Sequence, residues 1–155
     1  MKALRYDGPW KMTLTDMPDP VPGPGEVLLR SELVGICASD VHGFTGESGR
    51  RKPGMVMGHE AVGIVKALGA GATRFKVGQR VTVYNVVGCG KCPYCLSGNE
   101  QVCPDRRVLG VNAGAWGAMA EAYTAPEKCL YPIADGVEPG VALLSEPIAV
   151  GMHAL

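Results

Sequence analysis

The sequence predicts a mostly β fold with short helices, and three features support this prediction. Glycine and proline are abundant, with 22 and 12 of the 155 residues, and both favour turns over long helices. Short apolar runs recur between these turns, as is typical of β-strands. Hydrophobic residues make up 46% and charged residues 19% of the chain, which predicts a folded domain with a buried core.

The N-terminal third of the sequence predicts three strands. Residues 2–6 and 10–16 form the first two, joined by the turn Asp7-Gly8-Pro9. The proline-rich segment 17–25 is excluded from helices and central strands, because proline lacks an N–H donor and fixes φ. The longest predicted strand is EVLLRSELVGI, residues 26–36, with apolar residues on both faces of the pleat.

The remaining elements are shorter. A helical turn is expected at 37–42, followed by a polar, glycine-rich loop to residue 54. Further strands are predicted at 61–68, 80–83, 117–123 and 129–133, the first two of them paired. The final segment begins with Ser145-Glu146-Pro147 and predicts a helix capped by the serine, because an early proline is tolerated there.

Four cysteines form the most specific motif, with intervals of two, two and seven residues: Cys89, Cys92, Cys95 and Cys103. Thiolates at such spacings can face inward from one tight loop and complete a tetrahedron around zinc. Four protein ligands leave no open position, so this zinc would be structural. Two disulfides are disfavoured by the short spacings and a reducing compartment, and an iron–sulfur cluster by the seven-residue interval.

A second constellation joins three separated groups: Cys37 with Asp40 and His42, then Gly58-His59-Glu60, then Glu146. A catalytic zinc needs about three protein ligands and an open position. Taken singly, each residue has a simpler interpretation. Cys37 could be a small buried hydrophobe, His59 an ordinary core or surface histidine, and Glu146 an acid favoured by a helix dipole.

The combined order resembles the zinc-dependent medium-chain dehydrogenases, which include alcohol, sorbitol, threonine and butanediol dehydrogenases. The resemblance is carried by Gly35-Ile36-Cys37-x-Ser39-Asp40-x-His42, the Gly58-His59-Glu60 motif, the four cysteines and Ser145-Glu146-Pro147. It covers essentially the whole chain. It implies that residues 1–155 form a GroES-like catalytic domain, a partly open barrel with a zinc-binding lobe.

The resemblance also implies roles for individual residues. Cys37 and His59 would bind a catalytic zinc. Glu60 would be a ligand or a close carboxylate that exchanges with water, and Glu146 would be a further candidate ligand. Glutamate at position 146, where classical alcohol dehydrogenases have cysteine, makes the site harder and suits a polyol-type pocket.

Three further residues are implied to act around that zinc. Asp40 would orient His59, Ser39 would take the substrate proton, and His42 would pass it towards solvent. Arg50 and Arg51 lie on the loop before the Gly-His-Glu motif. Contact with the substrate is one interpretation of both residues, but we expect them to be solvated because charged side chains usually are.

The implied activity is oxidation of an alcohol or polyol at zinc by hydride transfer to NAD or NADP. No Gly-x-Gly-x-x-Gly turn opening a helix is found, because Gly69-Ala70-Gly71 and Gly88-Cys89-Gly90 are isolated glycine pairs. Residues 1–155 are therefore predicted to be an incomplete catalytic half, inactive without a Rossmann domain. One alternative is a stand-alone zinc-binding GroES-like module without catalysis, and another is hydrolysis by zinc-bound water.

Charge and hydropathy limit the kinds of partner that we expect for this protein. The formal net charge is zero and basic residues are scattered, which argues against nucleic acid. No apolar run approaches the roughly 20 residues that cross a bilayer, and the N-terminus lacks a secretory signal. We therefore expect a cytoplasmic protein with a small-molecule substrate, and a homo-oligomer as the full-length protein.

Overall fold

The computed structural model describes residues 1–112 and 117–155. The β-strands are β1 (Lys2–Gly8), β2 (Lys11–Asp16), β3 (Glu26–Val34), β4 (Ala61–Leu68), β5 (Arg80–Val83), β6 (Val86–Val87), β7 (Arg107–Val108), β8 (Ala122–Pro126) and β9 (Leu130–Pro132). The α-helices are α1 (Ala38–Thr45), α2 (Pro93–Leu96), α3 (Pro139–Leu143) and α4 (Ser145–His153). Two 3-10 turns, Glu100–Val102 and Glu127–Cys129, complete the elements.

The central feature is an open, antiparallel five-stranded sheet in the order β8-β3-β4-β5-β9. Apolar side chains from these strands form the core, with Val27, Leu29, Val65, Val81 and Leu130 at most 1% exposed. The hairpin β1–β2 forms a separate two-stranded sheet, and β6 pairs with β7. The predicted mostly β fold is confirmed.

The predicted strand at 117–123 is largely wrong, since β8 covers Ala122–Pro126 and overlaps it by only two residues. The segment before β8 instead forms hydrogen bonds with the loop that precedes β4. The N–H groups of Ala118 and Met119 donate to the carbonyls of Gly58 and Met57. A side chain at Gly117 would collide with the same loop backbone. At these residues, contact with an irregular loop takes the place of the expected pairing with a neighbouring strand.

Other boundaries differ for local reasons. Trp10 has a left-handed φ of 62°, so it belongs to the turn and β2 begins at Lys11. The 26–36 strand ends at Val34. The last predicted strand loses its first residue to a 3-10 turn and ends at Pro132.

The helices also differ from the prediction. Helix α1 continues to Thr45, three residues into the predicted loop. Ser145 is the first residue of α4 rather than its cap, because Leu144 keeps right-handed helical backbone between α3 and α4. The Ser145 hydroxyl instead lies 3.1 Å from that of Thr82.

A bidentate ion pair ties β3 to β5, since Arg80 Nε and Nη2 donate to Glu32 at 2.6 and 2.8 Å. The hydrogen bonds from Arg80 lower the pKa of Glu32 below its usual value. The stabilisation is therefore present above about pH 4.5, the ordinary pKa, and is lost as pH falls through the lowered pKa.

We expect Glu32→Gln to lower the free energy of unfolding at pH 7 by about 0.5–1 kcal/mol, because water screens this partly exposed pair. Urea unfolding of the variant and native proteins checks this. The difference should shrink as pH is lowered below 4.5. A difference that stays constant with pH would contradict this account of the pair.

Within residues 1–112 and 117–155, every helix is too short or too polar to cross a membrane.

Candidate metal centres

Antiparallel pairing of β3 and β4 brings the two halves of the second constellation together. Val34 at the end of β3 is paired with Ala61 at the start of β4. Cys37 follows Val34 by three residues, and His59 and Glu60 directly precede Ala61. Residues 22 positions apart in sequence therefore meet at one end of the sheet.

Two glycines make this approach possible. Gly58 has a φ of 95°, a left-handed conformation that favours glycine, and a Cβ there would lie 2.8 Å from Met119 Cγ. The N–H of Gly35 donates to the Glu60 carbonyl at 2.8 Å. A side chain at Gly35 would collide with the Glu60 carboxylate. Both glycines therefore hold the His59 loop against the end of β3.

The result is a cluster of one sulfur, one nitrogen and one oxygen ligand. Cys37 Sγ, a ring nitrogen of His59 and a carboxylate oxygen of Glu60 all lie within 4.8 Å of one another. His59 Nδ1 faces Asp40 Oδ1 at 3.4 Å, with no well-aligned hydrogen bond among the described residues. That orientation leaves Nε2 as the nitrogen available to a metal. This donor set suits zinc.

Negatively charged side chains surround the ring of His59. Burial lowers the pKa of His59, but the contact with Asp40 and the charges of Asp40, Glu146 and Glu60 outweigh it and raise the pKa above its usual value. Burial would raise the pKa of Asp40, yet His59 and Arg51 hold it below its usual value. The neighbouring carboxylates thus favour a positive charge at the position of His59.

Asp40 lies at the N-terminal end of α1 and is 2% exposed. Its Oδ2 accepts from the Cys37 N–H at 3.2 Å, and its Oδ1 accepts from Arg51 Nη2 at 2.9 Å. The prediction that Arg51 is solvated is wrong, because its side chain is only 2% exposed. Arg50 is exposed, as predicted. The buried carboxylate of Asp40 attracts Arg51 alone into the interior.

Helix α1 also carries Ser39 and His42 beside the cluster. Ser39 Oγ lies 3.5 Å from His59 Nε2. His42 is exposed, and its Nδ1 lies 2.6 Å from Glu47 Oε2. Both residues line a cleft of about 450 Å³ that also reaches His59 and Asn85. The cleft gives a small molecule access to the cluster.

Glu146 stands apart from the three ligands, because it is not among the residues whose ligand atoms lie within 4.8 Å of one another. Its Oε1 accepts from Asn85 Nδ2 at 2.7 Å. Glu146 still contributes to the raised pKa of His59, so its charge acts on the cluster. Sequence analysis missed Asn85, since a single asparagine after a strand carries no signal of its own.

The four cysteines form a second cluster, separate from the first. All four Sγ atoms lie within 4.8 Å of one another, and those of Cys89 and Cys95 are 3.9 Å apart. A tetrahedron with Zn–S bonds of about 2.3 Å has sulfur–sulfur edges of about 3.8 Å, whereas a disulfide bond is about 2.05 Å long. The spacing of Cys89 and Cys95 therefore fits tetrahedral zinc.

The pKa values of the Cys89 and Cys95 thiols are shifted in opposite directions. Backbone N–H groups of Lys91 and Cys92 lower the pKa of Cys89 to about 6. Desolvation is the main cause that raises the pKa of Cys95 to about 12, and hydrogen bonds between the thiols add to it. A bound zinc ion would supply the positive charge that holds four thiolates together.

The cysteine lobe (residues 88–103) has few supports of its own. Helix α2 has four residues and buries none of them. Glu100 ties the lobe down by accepting from the Gly88 N–H at 3.0 Å and from Lys128 Nζ at 2.9 Å. Of the four cysteines only Cys103 is fully buried. A metal ion would therefore contribute much of the lobe's stability.

Comparison with known proteins gives consistent matches. The family model of the alcohol dehydrogenase GroES-like domain matches residues 23–135. The chain is 40% identical over 152 residues to YdjJ of Escherichia coli K12, an uncharacterized zinc-type alcohol dehydrogenase-like protein, covering 94% of this chain and 43% of YdjJ. It is 36% identical over 157 residues to L-threonine 3-dehydrogenase of Stenotrophomonas maltophilia, covering 99% of this chain and 46% of that enzyme.

Solved structures agree with these sequence matches. An alcohol dehydrogenase of Escherichia coli CFT073 complexed with NADH superposes with a TM-score of 0.90 and 35% identity, covering 98% of this chain and 44% of that one. The chain thus spans less than half the length of the proteins compared.

Proposed function

Because the chain belongs to the alcohol dehydrogenase GroES-like domain family, we propose that it is the N-terminal catalytic portion of a zinc-dependent alcohol or polyol dehydrogenase. One observation carries the proposal: Cys37, His59 and Glu60 converge on one point beside a cleft, while four cysteines form a separate closed cluster. One accessible and one sealed metal site suit a catalytic and a structural zinc.

Cys37, His59 and Glu60 would hold the catalytic zinc, with Glu146 nearby as a further carboxylate. When bound, zinc supplies Lewis acidity that lowers the pKa of an alcohol hydroxyl. A carboxylate in place of a second thiolate makes the donor set harder, which supports a polyol or other hydroxyl-rich substrate. Cys89, Cys92, Cys95 and Cys103 would hold the structural zinc.

The chain's own residues would move the substrate proton. Ser39 Oγ, beside His59 Nε2, would accept the proton as the substrate hydroxyl ionises and would release its own hydroxyl proton towards His42. The carboxylate of Glu47 can only accept, so its contact with His42 requires the proton on Nδ1 and leaves Nε2 free to receive another. His42 is exposed and would pass the proton to solvent.

Hydride would pass to NAD or NADP bound by a further domain, for which NADH in the related structure gives support. The surface of α4 also supports a further domain, because the helix buries none of its residues and exposes Ile148, Val150 and Met152. Exposed apolar surface of this kind marks an interaction site. Homo-oligomerisation is part of the same proposal.

The test is a hydride-transfer assay on the full-length protein that contains this chain, with NAD and NADP and a panel of secondary alcohols, diols, polyols and amino alcohols. We expect absorbance at 340 nm to rise with one substrate class and a chelator to abolish the activity. Inactivity of the zinc-loaded full-length protein with every class would contradict the proposal and favour a zinc-binding module.

The proton path gives a separate prediction. In the full-length enzyme we expect Ser39→Ala to lower kcat by about a hundredfold, a typical loss for a group that transfers a proton, with unchanged zinc content. Ser39→Thr keeps a hydroxyl and should retain most of the activity. Steady-state kinetics with metal analysis check both variants. Equal losses in the two variants would contradict a proton-transfer role.

A further inference from the structure

We infer that Arg51 is a positioning residue of the accessible metal site, which fixes Asp40 and, through Asp40, the ring of His59. The inference rests on the proposed function, because it takes His59 as a zinc ligand. Arg51 lies on the loop between α1 and β4, eight residues before His59. No sequence motif marks it.

The first support is the buried contact between opposite charges. Arg51 and Asp40 side chains are each 2% exposed, and Arg51 Nη2 lies 2.9 Å from Asp40 Oδ1. A charged side chain that is removed from water is tolerated only when an opposite charge or hydrogen-bond partners compensate for the lost hydration. The contact with Arg51 therefore fixes the position of the Asp40 carboxylate inside the protein.

The second support is that one carboxylate faces three parts of the site. Asp40 Oδ1 faces both Arg51 and His59 Nδ1, while Oδ2 accepts from the N–H of Cys37. Asp40 thus contacts the backbone of one proposed ligand and the ring of another. A shift of this carboxylate would move both ligands.

The third support is that the pair is poorly suited to stabilise the fold alone. Arg51 Nε is buried without a hydrogen-bond partner among the described residues, and an unpaired buried donor is unfavourable. The fold also needs glycine at position 43, since a Cβ there would lie 2.7 Å from Arg51 Cγ. A buried ion pair is weak evidence for a net gain in stability, so stability alone does not account for this pair.

The test compares zinc affinity at both sites in the same molecule. Arg51→Met and Arg51→Gln remove the charge, Arg51→Lys keeps it, and Arg50→Met is a matched control on the same loop but exposed. Zinc affinity is measured by competition with chelators, and the accessible site is also loaded with cobalt, whose visible absorption reports ligand geometry. The four-cysteine site serves as an internal standard.

We expect Arg51→Met and Arg51→Gln to lower the zinc affinity of the accessible site about tenfold, as is typical when a residue that orients a metal ligand is lost. Both variants should also shift the cobalt absorption bands. Arg51→Lys should stay within about threefold of the native affinity. The four-cysteine site should be unchanged in all variants, and Arg50→Met should match the native protein at both sites.

Native affinity in both charge-removing variants, or an equal loss in Arg51→Lys and Arg51→Gln, would overturn the inference. Failure of both Arg51→Met and Arg51→Gln to fold would also overturn it, since Arg51 would then act on stability alone. A native protein that binds zinc only at the four cysteines would instead defeat the proposed function.

Discussion

Cys37→Ser is expected to bind one zinc ion per chain where the native protein binds two, and to abolish alcohol oxidation in the full-length protein. A serine hydroxyl does not ionise near neutral pH, so the substitution removes the only thiolate of the accessible cluster. Removing a residue that hydrogen-bonds to a metal ligand weakens metal binding by about 10–100-fold. Removing a direct ligand should weaken it further. Native mass spectrometry and elemental analysis measure the stoichiometry.

Cys129→Ser is the matched control. Cys129 is buried outside both clusters, with its Sγ 3.7 Å from the carbonyl oxygen of Val86. It is expected to retain both zinc ions. Two tightly held zinc ions in Cys37→Ser would show that this thiolate is not a ligand. Loss of both ions would mean that the substitution unfolds the domain.

Cys92→Ser, or removal of zinc by a chelator, should unfold the lobe at residues 88–103 and leave the five-stranded sheet folded. Structural zinc contributes on the order of 10–16 kcal/mol of apparent binding free energy at pH 7, and the lobe has little core to replace it, since α2 buries none of its residues. Trypsin should then cut after Lys91, an exposed residue between two of the ligands.

Limited proteolysis followed by mass spectrometry locates the cut. Ser97→Ala removes an exposed hydroxyl of the same lobe that donates to the Tyr94 carbonyl and accepts from Asn99 Nδ2, and it should leave the lobe resistant. Unchanged resistance at Lys91 after complete zinc removal would contradict a structural metal. Cleavage throughout the sheet would mean that the lobe and the core unfold together.

The two clusters differ in how far the sequence could predict them. Cys89, Cys92 and Cys95 are separated by two residues each, so a single tight loop brings them together and local spacing is sufficient. Cys37 and His59 meet only because β3 pairs with β4 in one register. Composition and spacing do not determine that pairing, so the second cluster was predicted through the family resemblance. The ligand roles remain predictions.

The residues that sequence analysis missed depend on tertiary contacts. Arg51 and Arg50 are adjacent and chemically identical, and only the position of Asp40 decides which is buried. Asn85 has significance only because α4 brings Glu146 within hydrogen-bond distance. The strand predicted at 117–123 differs for a similar reason, since the N–H groups of Ala118 and Met119 donate to the loop before β4, and that of Glu121 donates to β1 rather than to the five-stranded sheet.

We propose that this chain holds two metal ions, one enclosed by four thiolates and one accessible from a cleft. The zinc content and zinc K-edge absorption spectrum of the freshly purified native protein test it most directly. We predict two zinc ions per chain and an average first shell that mixes sulfur at about 2.3 Å with nitrogen and oxygen at about 2.0–2.2 Å. A single zinc ion with a purely sulfur shell, or no zinc at all, would contradict the claim.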